Sequence, residues 1–156
     1  MSPFLLAVRH LRWLARIPLM PQIFDGLLLA FTAMFHPERL LVMEALEEGA
    51  LRIPGVHPRL HRFGGVEFCL GGRGELGHMH GHGLLDVRLQ KSTARAYLEA
   101  GKAIRHHVLP DSGWVSFQLK SPSDVPAALE LLKTARSERL APRRRVVPVV
   151  GLEPTR

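Results

Sequence analysis

The chain holds a single cysteine, Cys69, among 156 residues. That excludes an intrachain disulfide and a cysteine-rich zinc site, and a lone thiol suits a reducing, cytoplasmic setting. Aromatic residues are scarce at 6%, too few for the stacking surfaces on which nucleic-acid binders rely. The usual nucleotide-binding signatures are missing as well. "GGRG" at 71–74 lacks both the Gly-Lys-Ser/Thr ending of a P-loop and the spacing of a dinucleotide fingerprint, and reads as a hairpin turn. "PDSGW", with Asp111 and Ser112, does not match Gly-x-Ser-x-Gly, and turn chemistry accounts for it.

A long hydrophobic run is also lacking. In the apolar first 35 residues the longest stretch without an ionisable side chain before His36 is "GLLLAFTAMF", 26–35, half of the roughly 20 residues a bilayer demands. Arg9, Arg12 and Arg16 inside this region speak against a secretory signal. On a helix these arginines share one face, while Phe4, Val8, Leu11 and Ala15 share another. Residues 1–42 are therefore read as an apolar helical arm. Through residues 1–35 it is expected to pack on the domain, to touch a membrane peripherally or to form a homo-oligomer.

Charge of one sign is concentrated rather than spread. The formal net charge is +7, but residues 133–156 hold seven basic and two acidic side chains, which leaves the rest at only +2. The end at 141–156, with Arg143, Arg144, Arg145 and three prolines, reads as a solvated basic tail. Nucleic acid is not an expected partner. Hydrophobic residues at 46% fit one globular domain, placed at 43–140.

The pattern inside that domain alternates between the two periods. "HPERLLVMEALEEG" predicts a helix with Pro37 in its first turn and Gly49 as its stop, and "IPGVHP" at 53–58 predicts a boundary. "GGVEFCLGG" alternates as a strand with Val66, Phe68 and Leu70 on one face. "ELGHMHG" completes a hairpin, and "LLDVRLQ" aligns Leu85, Val87 and Leu89. "STARAYLEA" is a helix ended by Gly101. "AIRHHVLP" and "WVSFQLK" read as two further strands. The final helix, "VPAALELLKTARSERL", takes Ser123 as its cap and Pro126 in its first turn. The fold class expected is α+β, a small antiparallel sheet with helices packed on one face.

What is abundant is histidine, nine in all. In "GHMHGHG", 77–83, His78, His80 and His82 recur at every second position, so on a strand their imidazoles form one row. The pair His106–His107 falls on a later predicted strand. Such a cluster serves as general acid and base near neutrality or as a metal site, whose third ligand would be His106, Asp86 or Glu75. Arg62 and Glu75 stand where they could hold charge beside it, and Trp114 opens its strand after a turn.

"HRFGGVEFCLGGRGELGHMHG", followed by "HHVLPDSGWVSFQLKSPSDVPAALELL", resembles the bacterial proteins that share the luciferase domain, named for the fungal luciferases. The resemblance covers about residues 43–135. It implies a monooxygenase-type oxidoreductase acting on an enolisable aromatic ligand such as a hydroxypyrone, with molecular oxygen as co-substrate and no organic cofactor. His78, Met79, His80, His106 and Trp114 match its pattern. The resemblance assigns His78 or His80 as base, with His106 as a partner that orients or stabilises the anion. Glu75, His82, His107, Trp114 and Arg62 are the expected ligand-binding residues. Two other readings stand beside this one: a metal-binding protein with a divalent ion on His78, His80 and His106, and a non-enzymatic module that contacts a membrane or partner through the arm.

Overall fold

The structure, a computed structural model, describes residues 19–142. The arginine face of Arg9, Arg12 and Arg16 and the run Arg143–Arg145 lie outside the described residues. Among the described residues, four helices and six strands follow in the order α1 (Met20–Phe35), α2 (Pro37–Leu51), β1 (Val56–Leu60), β2 (Val66–Leu70), β3 (Glu75–Met79), β4 (Leu84–Arg88), α3 (Lys91–Glu99), β5 (Ile104–Arg105), β6 (Trp114–Gln118) and α4 (Val125–Leu140). The strands form one antiparallel sheet in the order β1-β2-β3-β4-β6-β5. This is the α+β architecture expected from the sequence.

The alternation of the strands decides where the core sits. Phe68, Leu70, Leu85, Val87, Leu89 and Val115 are buried and meet Leu46 and Ala50 of α2 and Ala128, Leu131, Leu132 and Ala135 of α4 in one cluster. Each such leucine or phenylalanine contributes about 2 kcal/mol of burial free energy. Gly49 does not stop α2, as its position suggested, but lies inside it. A Cβ there would come within 2.7 Å of the Leu129 side chain, so glycine at this point lets α4 close on α2.

At the boundary expected at 53–58 helices give way to strands, α2 ending at Leu51 and β1 beginning at Val56. Strand β1 lies at the edge of the sheet, where Pro58 removes no donor that the ladder requires; two other local expectations are corrected. His106 and His107 follow the two-residue β5 rather than lying within a strand. A 3₁₀ turn, Pro122–Asp124, precedes α4, and Ser121 rather than Ser123 forms its capping box with Asp124.

Helix α2 runs through residues 42 and 43, so the arm and the domain share a helix at their expected junction. Between α1 and α2 the chain bends by 120°. No single helix among the described residues is long and apolar enough to cross a membrane. Helix α1 has an inverted polarity: Asp25 and Thr32, seven residues apart and on one face, are buried, while Ile23, Leu27, Phe31, Met34 and Phe35 are exposed. The buried Asp25 positions the site described next.

Candidate functional site

Opposite the apolar face, the sheet carries a row of polar residues. Glu67, His78, Asp86 and Ser116 stand directly across from one another on β2, β3, β4 and β6. Residues in register share a face of the sheet, so the row is contiguous. A register shift between β2 and β3 leaves Cys69 facing Glu75, with Leu76 as the extra residue. The bulge has a chemical consequence. In a regular strand residues three apart point to opposite faces, but here Glu75 joins His78 on the polar side while Leu76 turns into the core, fully buried. Glu75 Oε1 lies 2.5 Å from His78 Nδ1.

Cys69 shares that polar face, buried, with its thiol donating to Glu67 Oε1 at 2.8 Å. Burial, reinforced by the Glu67 carboxylate, pushes the thiol up to about 11. Relative to an ordinary thiol, about two orders of magnitude less thiolate is present at a given pH. Alkylation by iodoacetamide at pH 8 should therefore be at least ~100-fold slower in the folded chain than after denaturation. Comparable rates in the two states would show that the Glu67 contact does not form.

Asp86 is the centre of the cluster. It is fully buried, and its Oδ1 accepts a short hydrogen bond from Ser116 Oγ. Its Oδ2 lies 3.3 Å from His80 Nε2, 3.4 Å from His106 Nε2 and 3.6 Å from His78 Nε2. Burial by itself would raise the Asp86 carboxyl, but hydrogen bonds from His106 and His80 outweigh it and hold the group well below the usual carboxylate range. The protonation of His106 follows from its surroundings: the backbone N–H groups of Val108 and Leu109 both donate to its Nδ1, at 3.0 and 3.1 Å. Nδ1 is therefore the acceptor, Nε2 carries the hydrogen, and the ring donates to Asp86.

His80 is held from both ends. Its Nδ1 is 3.3 Å from Asp25 Oδ1, which also accepts the Gly81 N–H at 3.0 Å. Burial lowers its affinity for a proton, but hydrogen bonds to Asp25 and Asp86 outweigh that and raise the group to about 9. Glu75 is held below its usual range; burial opposes this and the His78 hydrogen bond overcomes it. The turn at 80–83 needs its small residues. A Cβ on Gly81 would meet the Asp25 carbonyl oxygen at 2.7 Å and Leu29 at 2.8 Å, so glycine here lets α1 approach closely enough for Asp25 to reach His80.

All five histidines singled out from the sequence converge. His82 sits in the turn rather than on β3, with its ring 6.0 Å from that of His80. His107 stacks on His106 at 4.6 Å and lies 6.3 Å from His80. Burial, with the charge on His80 nearby, lowers both His82 and His107 to about 4. Half-buried Trp114 flanks the cluster, 5.5 Å from His78 and 5.8 Å from His106. Arg62 is exposed at the rim, with its guanidinium 4.4 Å above the Phe63 ring, and adds positive charge on the side of Glu75.

Sequence reasoning missed Asp25, His61 and Ser116. His61 stacks on His78 at 3.9 Å with the rings nearly parallel, and its buried Nδ1 has no hydrogen-bond partner. Burial and the neighbouring His78 lower it. One signal was present for Asp25: it is the only acidic residue between positions 1 and 35, an expensive choice in an apolar helix unless it has a partner. A surface groove between α2 and α4, lined by Arg52, Ile53, Leu129, Lys133 and Arg136, contains none of the histidines.

Residues 73–135 match the luciferase-domain family model. The matched segment begins later than the resemblance read from the sequence, yet contains Glu75, His78, His80, His82, Asp86, His106, His107, Trp114 and Ser116. Asp25, His61 and Arg62 fall outside it. No curated protein and no solved structure matches the chain. The matched segment thus supplies most of the polar face, and α1, the 61–65 turn and β2 bring the remaining groups to it.

Proposed function

We propose that the protein is a luciferase-like, oxygen-dependent enzyme that binds a small enolisable aromatic ligand at the histidine cluster and oxidises it without an organic cofactor. One observation carries this reading: three imidazole Nε2 atoms lie within 3.3–3.6 Å of one oxygen of the buried Asp86, two of the rings being oriented from behind by Glu75 and Asp25. Such an arrangement holds oriented imidazole donors on one side of the sheet, with His80 the ring whose positive charge is favoured. An enolate that forms there is stabilised without reorganisation of the site.

The electron balance needs no external reductant. His78 takes a proton from the substrate to leave an enolate, whose carbon gives an electron pair to molecular oxygen and forms a C–O bond, and the same proton returns to the outer oxygen to give a hydroperoxide. Both electrons come from the substrate. His78 and His80 face the reacting atoms, His106 positions Asp86, and Trp114 forms a flat apolar wall against an aromatic ring.

The test is oxygen consumption by purified protein with a panel of hydroxypyrones and related phenols. Ligand-dependent uptake is expected, and His78→Ala should reduce it by at least about 100-fold. If no member of the panel binds by calorimetry and none supports oxygen uptake, the reading is lost.

A further inference from the structure

We propose that His78, His80 and Asp86 together hold one divalent first-row transition-metal ion, with Glu75, Asp25 and Ser116 as the outer groups that orient these ligands. The inference concerns the same face as the proposed reaction but stands on the donor geometry alone.

Three groups of side chains in this face have donor atoms within 4.8 Å of one another: His61–Glu75–His78, His78–His80–Asp86 and Asp86–His106–His107. Two of them fail on chemical grounds. Two donors on one ion with bonds of about 2.1 Å stand about 3.0 Å apart at a right angle and about 3.4 Å apart at a tetrahedral angle. Glu75 Oε1 and His78 Nδ1 are 2.5 Å apart, which is a hydrogen bond and too short for a shared ion. In the third group His106 Nδ1 already accepts two backbone N–H groups. Its Nε2 must keep a hydrogen, and coordination through it would require an imidazolate.

The middle group meets each requirement. His78 and His80 place Nε2 at 3.6 and 3.3 Å from Asp86 Oδ2, longer than the usual 2.9–3.0 Å hydrogen bond and close to the spacing of two donors around an ion. Glu75 and Asp25 each face the Nδ1 of one ring. With hydrogen on Nδ1, facing Glu75 and Asp25, each ring can present Nε2 to an ion beside Asp86 Oδ2, and that ion would take the place of the proton His80 otherwise shares with this oxygen. Carboxylates behind ligating imidazoles are the common outer arrangement of metal sites, and the ligating carboxylate is itself hydrogen-bonded, here by Ser116 and His106. Two imidazoles and one carboxylate leave coordination positions open. This set suits ferrous iron in oxygen chemistry, and cobalt as its spectroscopic substitute.

The experiment uses untagged, full-length protein, stripped with a chelator and titrated anaerobically with Co(II). One equivalent is expected, with visible d–d bands, together with an X-ray absorption spectrum showing two imidazoles in the coordination shell. His80→Ala and Asp86→Asn should lose the stoichiometric ion. His106→Ala should keep it with affinity reduced about 10–100-fold. No stoichiometric binding by the wild-type chain would overturn the site. So would undiminished binding in His80→Ala and Asp86→Asn variants that retain wild-type circular dichroism. Loss in His106→Ala equal to that in His80→Ala would overturn the ligand set. The wild-type spectrum decides even if the variants fail to fold. Stoichiometric Co(II) without oxygen uptake by the iron-loaded protein would keep this inference and remove the enzymatic one. Oxygen uptake by protein that binds no metal would do the reverse.

Discussion

Asp86→Asn is expected to lower the stability of the fold by about 3 kcal/mol and to abolish oxygen uptake with any ligand that supports it. The change keeps the shape of the side chain and removes one charge. In the native arrangement both carboxylate oxygens only accept: Oδ1 from Ser116 Oγ, and Oδ2 from the imidazole face of His80 and His106. An amide offers one acceptor and one donor, so its NH2 group must face either the Ser116 hydroxyl or the donating Nε2–H of His106. Deep burial leaves no water to relieve the mismatch. Urea denaturation followed by circular dichroism measures the loss. A change below about 1 kcal/mol, within the range of a surface substitution, would mean that Asp86 is not the centre of a connected network.

Gly77→Ala should be nearly as damaging, although Gly77 carries no functional group. Gly77 pairs with Val87 on β4 and Phe68 on β2, on the rung between the polar rows. A Cβ there would come within 2.4 Å of the Asp86 carbonyl oxygen and 3.1 Å of Val87 Cα. These are backbone atoms, which cannot swing aside as the end of a side chain does. The β3–β4 ladder would have to open at the point where His78 faces Asp86. A cost of about 3 kcal/mol corresponds to a fall in Tm on the order of 10 °C for a chain of this size. Gly72→Ala is the control, since its Cβ would meet nothing within 4 Å, and its Tm should stay within about 2 °C. Equal behaviour of the two variants would show that the close approach of β3 and β4 is not maintained.

Two of the three glycines of "GHMHGHG", Gly77 and Gly81, thus have a reason that neither catalysis nor flexibility supplies. At Gly77 the space is taken by the backbone of β4, and at Gly81 by the backbone of α1. Alternation marks the histidines of this stretch as neighbours, but only His78 lies on β3; His80 follows the end of the strand and His82 sits in the turn. The same local rule placed Phe68 and Leu70 together, aligned Leu85, Val87 and Leu89, and separated the helical segments from the strands. Composition alone excluded an intrachain disulfide and a cysteine-rich zinc site, and the lack of a long apolar run argued against a spanning segment.

Periodicity stops where the regular ladder stops. The bulge at Leu76 reverses the parity of Glu75, and a bulge arises from cross-strand pairing that no single strand records. His106 leaves its strand because β5 is only two residues long, and its role follows from two backbone N–H groups further along the chain. Asp25 joins His80 across 55 positions of sequence because α1 turns its polar side inward. His61 reaches His78 from the β1–β2 turn. The sequence by itself determined the alternating elements, the α+β class and the clustering of histidines in two short stretches. Only the tertiary structure decided which carboxylate each imidazole meets, because buried charges find their partners through packing rather than along the chain.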